Sequence, residues 1–169
     1  AHFKLRSRRH NPRSTPRSRL SLPPDSPSTP ARRYRSKTIA VWLAVLGGTL
    51  GLHRFYLNGW RDPIGWVHPL PTLAGLVGLL RLDRLGQDDR LAWALLPLLG
   101  LSISAAMLMA IVHGLTPDAR WDARRNPGLA PRETRWGPVL GAVLALLLGA
   151  TAFMSAIAFG LQRLFEVLL

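Results

Sequence analysis

A chain of 169 residues is enough for one modest domain, and its 48% hydrophobic content is ordinary for a soluble protein. That average hides a segregation: residues 1–37 carry 11 of the 22 Lys and Arg residues and almost no large apolar side chains, so the net charge of +13 is largely a property of one segment. The absence of cysteine excludes disulfides, thiolate metal sites and cysteine catalysis.

Residues 1–37 read as a disordered tail. Segments such as Arg6-Ser7-Arg8-Arg9 and Pro23-Pro24-Asp25-Ser26-Pro27 bury too little apolar surface to offset the entropy of ordering. No secretory signal is visible, because the first apolar run begins only at Thr38. An Arg- and Ser-rich, acid-poor lead also fits an organellar transit peptide, but six prolines disfavour the amphipathic helix such a peptide needs. The tail ends in Arg32, Arg33, Arg35 and Lys37, placed to contact anionic lipid headgroups or an acidic partner. The apolar remainder makes lipid the expected partner and disfavours nucleic acid.

Thr38 to Leu52 contains 15 uncharged residues, and continuing through Phe55-Tyr56-Leu57 brings a first span close to full length. His53 and Arg54 then fall near the far interface, with Phe55, Tyr56 and Trp60 at headgroup level. Asn58-Gly59 signals a turn, and Asp62-Pro63 a helix start. Pro63 to Leu80 is a second apolar run, with a kink or break expected near His68 because Pro69 and Pro71 follow.

Leu91 to Leu115 is a third run, 25 residues without Asp, Glu, Lys or Arg, long enough to span with some tilt. Ser102, Ala106, Ala110 and Gly114 recur at spacing four and form one small-residue stripe. Residues 116–135 read as a polar loop, and Trp136 to Gln162 as the fourth run. Its Gly137, Gly141, Ala145 and Gly149 give a second stripe, expected to pack against the first with the helices antiparallel. The fold expected is an all-α integral membrane protein. A disordered tail (1–37) precedes four transmembrane helices arranged as two hairpins, 38–85 and 86–169. Counting Lys and Arg by loop then places both termini in the cytoplasm, 15 against 7.

The run Gly48-Thr49-Leu50-Gly51-Leu52-His53-Arg54-Phe55-Tyr56-Leu57, led by an apolar helix after Lys37 and followed by a helix ending near Asp83, resembles the TM-two domain, also called the NINE-protein family in bacteria. Asn58 stands where the family motif has glycine. The resemblance covers about residues 37–85 and implies a membrane hairpin, in keeping with a bacterial inner membrane (an organellar membrane being the alternative). It implies no biochemical activity.

No enzyme signature emerges: there is no Ser-His-Asp grouping, phosphate loop or carboxylate pair. His53, His68 and His113 show no metal-ligand spacing, and no cofactor is expected. Ser102 and Ser104 read as bonded back to their own helix. The candidate site is the motif itself, Gly48, Gly51, His53, Arg54, Phe55 and Tyr56, together with Asp62 and Asp83. An Arg at a lipid boundary needs an anionic or carbonyl partner, and Asp62 is the nearest acid to Arg54 in sequence. Either that pair locks the hairpin or the motif is a docking surface. Asp83 reads as part of a local cluster with Arg81 and Arg84. The function expected is that of a non-enzymatic accessory or interaction subunit that contacts another membrane protein. A small transporter or channel component is the alternative, which the lack of carboxylates inside the spans disfavours.

Overall fold

The computed structural model describes residues 33–169, which fold into seven α-helices and one short 3-10 turn with no strand among them. The tail at 1–32, Arg32 included, lies outside the described residues. Three helical stretches are long and apolar enough to cross a membrane: Pro63–Leu85, Arg90–Leu115 and Gly137–Leu168. The first of the four expected spans is not among them.

Helix α1 covers Lys37–Gly47, and a 3-10 turn carries it to Leu50. At about 1.5 Å per residue this reaches about 21 Å, against a hydrocarbon core of about 30 Å. The chain then reverses at Gly51, whose φ of +76° lies in the left-handed region that a side chain disfavours. Helix α2, Leu52–Asn58, returns alongside α1. Its Tyr56 Oη accepts a hydrogen bond from Ser36 N at 2.8 Å, and Leu57 packs with Ala40 and Trp121. The expected continuation through Phe55-Tyr56-Leu57 is therefore corrected: these residues come back to the end at which α1 begins. Helices α1 and α2 form a re-entrant hairpin.

Asp62 caps α3, Pro63–Val67, by accepting from Ile64 N at 3.1 Å. Helix α4, Pro69–Leu85, follows after a break at His68, as the prolines foretell. Pro69 and Pro71 fall in its first turn, where a missing N–H donor costs little. Helix α4 runs antiparallel to α5, Arg90–Leu115: Thr72 Oγ1 donates to Ser102 Oγ at 3.0 Å, and Gly78 faces the backbone of Leu96. Arg81 closes the connection by donating from Nε to Asp89 Oδ2 at 2.6 Å, while Asp89 caps α5. Helix α6, Asp118–Arg125, lies in what reads from sequence as loop. Helix α7, Gly137–Leu168, is antiparallel to α5, with Gly114 against Pro138 and Ala142 and Gly149 against Met107.

The two small-residue stripes do more than pack on each other. Gly137 faces Thr38, Gly141 faces Val41, and Ala106 faces Gly48. Ala110 and Ala145 join Val41, Ala44 and Val45 in the core, while Ser102 bonds to α4. Small residues thus open a slot between α5 and α7, and α1 occupies it. For that reason the expected division between 38–85 and 86–169 is not a packing boundary: residues 33–169 form one compact unit. One end of it gathers residues 33–36, the α2–α3 connection and residues 116–136. The other gathers residues 86–89 and the last turns of α7, where Arg163 Nη2 donates to Gln87 Oε1 at 3.4 Å.

Candidate functional site

The motif sits at the first of these ends, in two linked networks. The first is built on Asp62. Arg54 donates to it twice, Nε to Oδ2 at 2.9 Å and Nη2 to Oδ1 at 3.3 Å. Asn58 Nδ2 adds a bond to Oδ2 at 2.7 Å, and Ile64 N completes the set. The Asn58 and Arg54 bonds hold the Asp62 carboxyl down at about 2, so it stays an anion. One carboxylate thereby fixes the end of α2 to the start of α3. Asn58, the departure from the family motif, supplies one of its donors.

The second network straps residues 34–37 down. Tyr34 Oη donates to Asp122 Oδ1 at 2.7 Å, Arg35 N donates to Asn126 Oδ1 at 2.8 Å, and Trp121 Nε1 donates to Arg35 O at 2.8 Å. The Arg35 guanidinium bonds to Tyr56 O, and Lys37 Nζ bonds to Asp118 and, at 3.0 Å, to Thr116 O. Burial and the bond to Asp122 raise the Tyr34 phenol to about 12. Burial disfavours an ionised Asp118, yet the Lys37 and Thr134 bonds outweigh it and hold its carboxyl at about 2. Arg125 Nη1 joins the two networks by donating to Asn58 Oδ1 at 2.9 Å.

These contacts revise two readings of the tail's end. Arg35 and Lys37 turn inward rather than toward headgroups, Lys37 being only 6% exposed. Residues 33–37, expected as part of a disordered segment, are held by ordered side chains. The strap's receiver has a signal in the sequence: Asp118, Asp122 and Asn126 recur at spacing four, which places them on one helix face.

The remaining motif residues divide by direction. Phe55 stacks on Trp60, with centroids 5.1 Å apart, and meets the edge of Trp66 at 5.1 Å. Trp60 and Trp66 are exposed, as residues at a membrane interface are. His53 faces inward and is fully buried. Its ring lies 5.7 Å from that of His68 and 6.0 Å from that of His113, so the structure brings together three histidines that have no common spacing in the sequence. Neither ring nitrogen of His53 has a hydrogen-bond partner in the protein. Among the described residues, no group of three or more His, Asp or Glu is arranged to hold a metal ion. The histidines line the joint where the re-entrant hairpin meets α4 and α5.

Gly48 and Gly51 shape that joint. A β-carbon on Gly48 would stand 2.7 Å from that of Ala106, and one on Gly51 would stand 2.6 Å from Gly65 O. Asp83 is not part of the site. It is exposed near the end of α4 remote from the motif, and Arg81, its expected neighbour, pairs with Asp89 instead.

The motif and the helices flanking it coincide with a family match: residues 33–82 match the family model of the TM2 domain. This segment is similar to a TM2 domain. The match begins just before the strap and ends within α4, so it takes in the strap, the whole re-entrant hairpin and the Arg54–Asp62 pair. TM2 domains are not known as enzymes. Neither a curated protein nor a solved structure matches the chain. Helices α5 to α7, which form the slot and the strap's receiver, lie beyond the matched residues.

Proposed function

We propose that the chain is a non-enzymatic accessory subunit of a membrane assembly, seated by three spans and a re-entrant hairpin and presenting one cationic face to anionic headgroups and to an acidic partner. The observation that carries this reading is the unequal use of charge at the strapped end. Asp62, Asp118 and Asp122 are consumed by internal bonds, whereas Arg33, Arg61, Arg120, Arg124, Arg132 and Arg135 are exposed. Eight further basic residues precede Arg33 in the sequence. Such a face attracts an anionic leaflet by about 1 kcal/mol per cation close to the surface.

The alternative, a transporter or channel component, would draw support from the three histidines, but the polar groups do not continue across. Below His68 come Thr72 and Ser102, and beyond them Gly75 and Gly78 pack directly on Leu99, Leu96 and Leu95. No carboxylate interrupts the apolar stretches between Pro63 and Leu80, Leu91 and Leu115, or Gly137 and Gln162.

Purification of the full chain in mild detergent, with mass spectrometry of retained lipid and co-eluting chains, tests the proposal. The expected result is enrichment of anionic lipid and a stoichiometric protein partner, both released by high salt. A lone monomer that retains neither would overturn it.

A further inference from the structure

Helix α1 occupies only half the length of the seam between α5 and α7. On α7, Gly137 and Gly141 meet α1, and Ala145 joins its core. Farther along the same helical face, Ala152 and Ala156 close directly on Gly100 of α5, and Ser155 and Phe159 flank that contact. With Leu96, Leu99 and Ile103 of α5 they line an open groove of about 360 Å³. Ile103 joins the two halves: it packs against the α1 core and also lines the groove.

The groove's length restricts what can fill it. Leu96 to Ile103 covers about 10 Å of helix, and Phe159 to Arg163 adds about 6 Å. Together they reach about the depth of one hydrocarbon leaflet, about 15 Å. A full-length helix of a partner cannot lie along this seam, because α1 already holds its other half. An acyl chain has the required length. At the mouth, Arg163 stacks on Trp93 at 4.8 Å and on Phe159 at 5.4 Å. Its Nη1 donates to Glu166 at 2.5 Å and Nη2 to Gln87 at 3.4 Å, while its buried Nε has no partner in the protein. The buried Nε cannot reach a ligand, but Nη1 and Nη2 each carry a second hydrogen, and these, one turn beyond an apolar groove, match a phosphodiester whose hydrocarbon lies in that groove.

We propose that this groove binds one acyl chain of a phospholipid from the leaflet opposite the Tyr34–Lys37 strap, with the lipid phosphate on Arg163. The site is separate from the cationic face and stands whether or not the accessory-subunit reading does.

The test uses the full chain in vesicles containing phosphatidylethanolamine with a photoactivatable group midway along one acyl chain. Photolysis and peptide mapping are expected to place adducts on Leu96–Ile103 and Ala152–Phe159. Ser155→Trp, which fills the groove, is expected to reduce them about tenfold, the loss of about 1.4 kcal/mol of binding. Met154→Trp, on an exposed lipid-facing side chain, is expected to leave them unchanged. Arg163→Gln is expected to lower retention of the lipid through detergent exchange. That retention is expected to resist high salt, unlike lipid held at the cationic face. Adducts spread evenly over the exposed surface of α7, or adducts insensitive to Ser155→Trp, would overturn the proposal. So would disulfide-linked dimers of a Ser155→Cys variant formed in the membrane, which would put a second copy in the groove.

Discussion

Three side chains carry the charge logic of the strapped end, and each gives a titration with a defined sign. Asp62 and Asp118 ionise at about 2 in the folded protein, against an ordinary 3.8. A carboxylate with a depressed pKa contributes stability that is fully present above its unfolded value and is lost as pH falls through the folded one. Near-ultraviolet circular dichroism of the detergent-solubilised protein is therefore expected to stay constant down to about pH 4 and to decline between about 4 and 2. A transition near neutrality would contradict these networks. Tyr34 has the opposite sign: its phenol is raised, so its hydrogen bond to Asp122 persists until the pH rises toward about 12. One of the two tyrosines is expected to ionise late in an absorbance titration, and Tyr34→Phe should remove that component. Asp122→Asn should move it back toward 10. Arg54→Ala removes two of the four bonds to Asp62, and a lower thermal midpoint and faster degradation in cells are expected. Normal abundance and stability with loss of a partner would instead assign Arg54 to docking.

At the scale of elements, the re-entrant hairpin depends on glycine at the point of reversal. Gly51 combines a left-handed backbone with a close approach to Gly65 O, so Gly51→Ala meets both strain and a backbone clash. A cost of about 1–3 kcal/mol follows, read as a drop in thermal midpoint. Gly59 also has a positive φ, +86°, but nothing lies within 4 Å of its missing β-carbon. Its ψ of 174° puts it in a region open essentially to glycine alone, so Gly59→Ala should cost about 1–3 kcal/mol through backbone strain without any clash, and an unchanged thermal midpoint would contradict that backbone geometry. Gly48→Val, which overpacks the contact with Ala106, is expected to cost about 1–3 kcal/mol as well.

The same element shows what the sequence could and could not convey. The Gly-rich run, the cap at Asp62, the break at His68 and the Arg54–Asp62 partnership follow from local rules that act within a few residues. The reversal at Gly51 does not, because the alternative, a helix continuing to Leu57, satisfies the same hydropathy. What decides between them is the slot that Ala106, Gly137, Gly141 and Ala145 open between 55 and 94 residues away along the chain. The strap depends on partners as distant: Tyr34 and Asp122 are 88 positions apart, and no rule of local spacing links them.

For the whole molecule, replacing a first span by a re-entrant hairpin changes which charges share a face. With four spans, the basic residues divide 15 to 7 across the membrane. Among residues 33–169 four spans give 7 to 7, whereas with three spans and the hairpin Arg81, Arg84, Arg90 and Arg163 alone lie at the end remote from the strap and the division becomes 10 to 4. The sharper asymmetry is what the positive-inside rule favours, so the expected topology puts the strapped end in the cytoplasm and the far end of α7 on the opposite side. Cysteine-free sequence makes a clean test, because each introduced cysteine is the only thiol in the chain. Arg33→Cys, Arg61→Cys, Gly128→Cys, Asp88→Cys and Val167→Cys are each treated in intact cells with a membrane-impermeant maleimide. Both arrangements place positions 61 and 128 together and positions 88 and 167 together, so those four serve as references. Position 33 discriminates: the re-entrant hairpin predicts protection of 33 along with 61 and 128, while 88 and 167 react. Four full spans would instead make 33 behave like 88. That outcome would require α1 to unbend at Gly51, break the Ser36–Tyr56 bond and leave the slot between α5 and α7 without the side chains that now fill it.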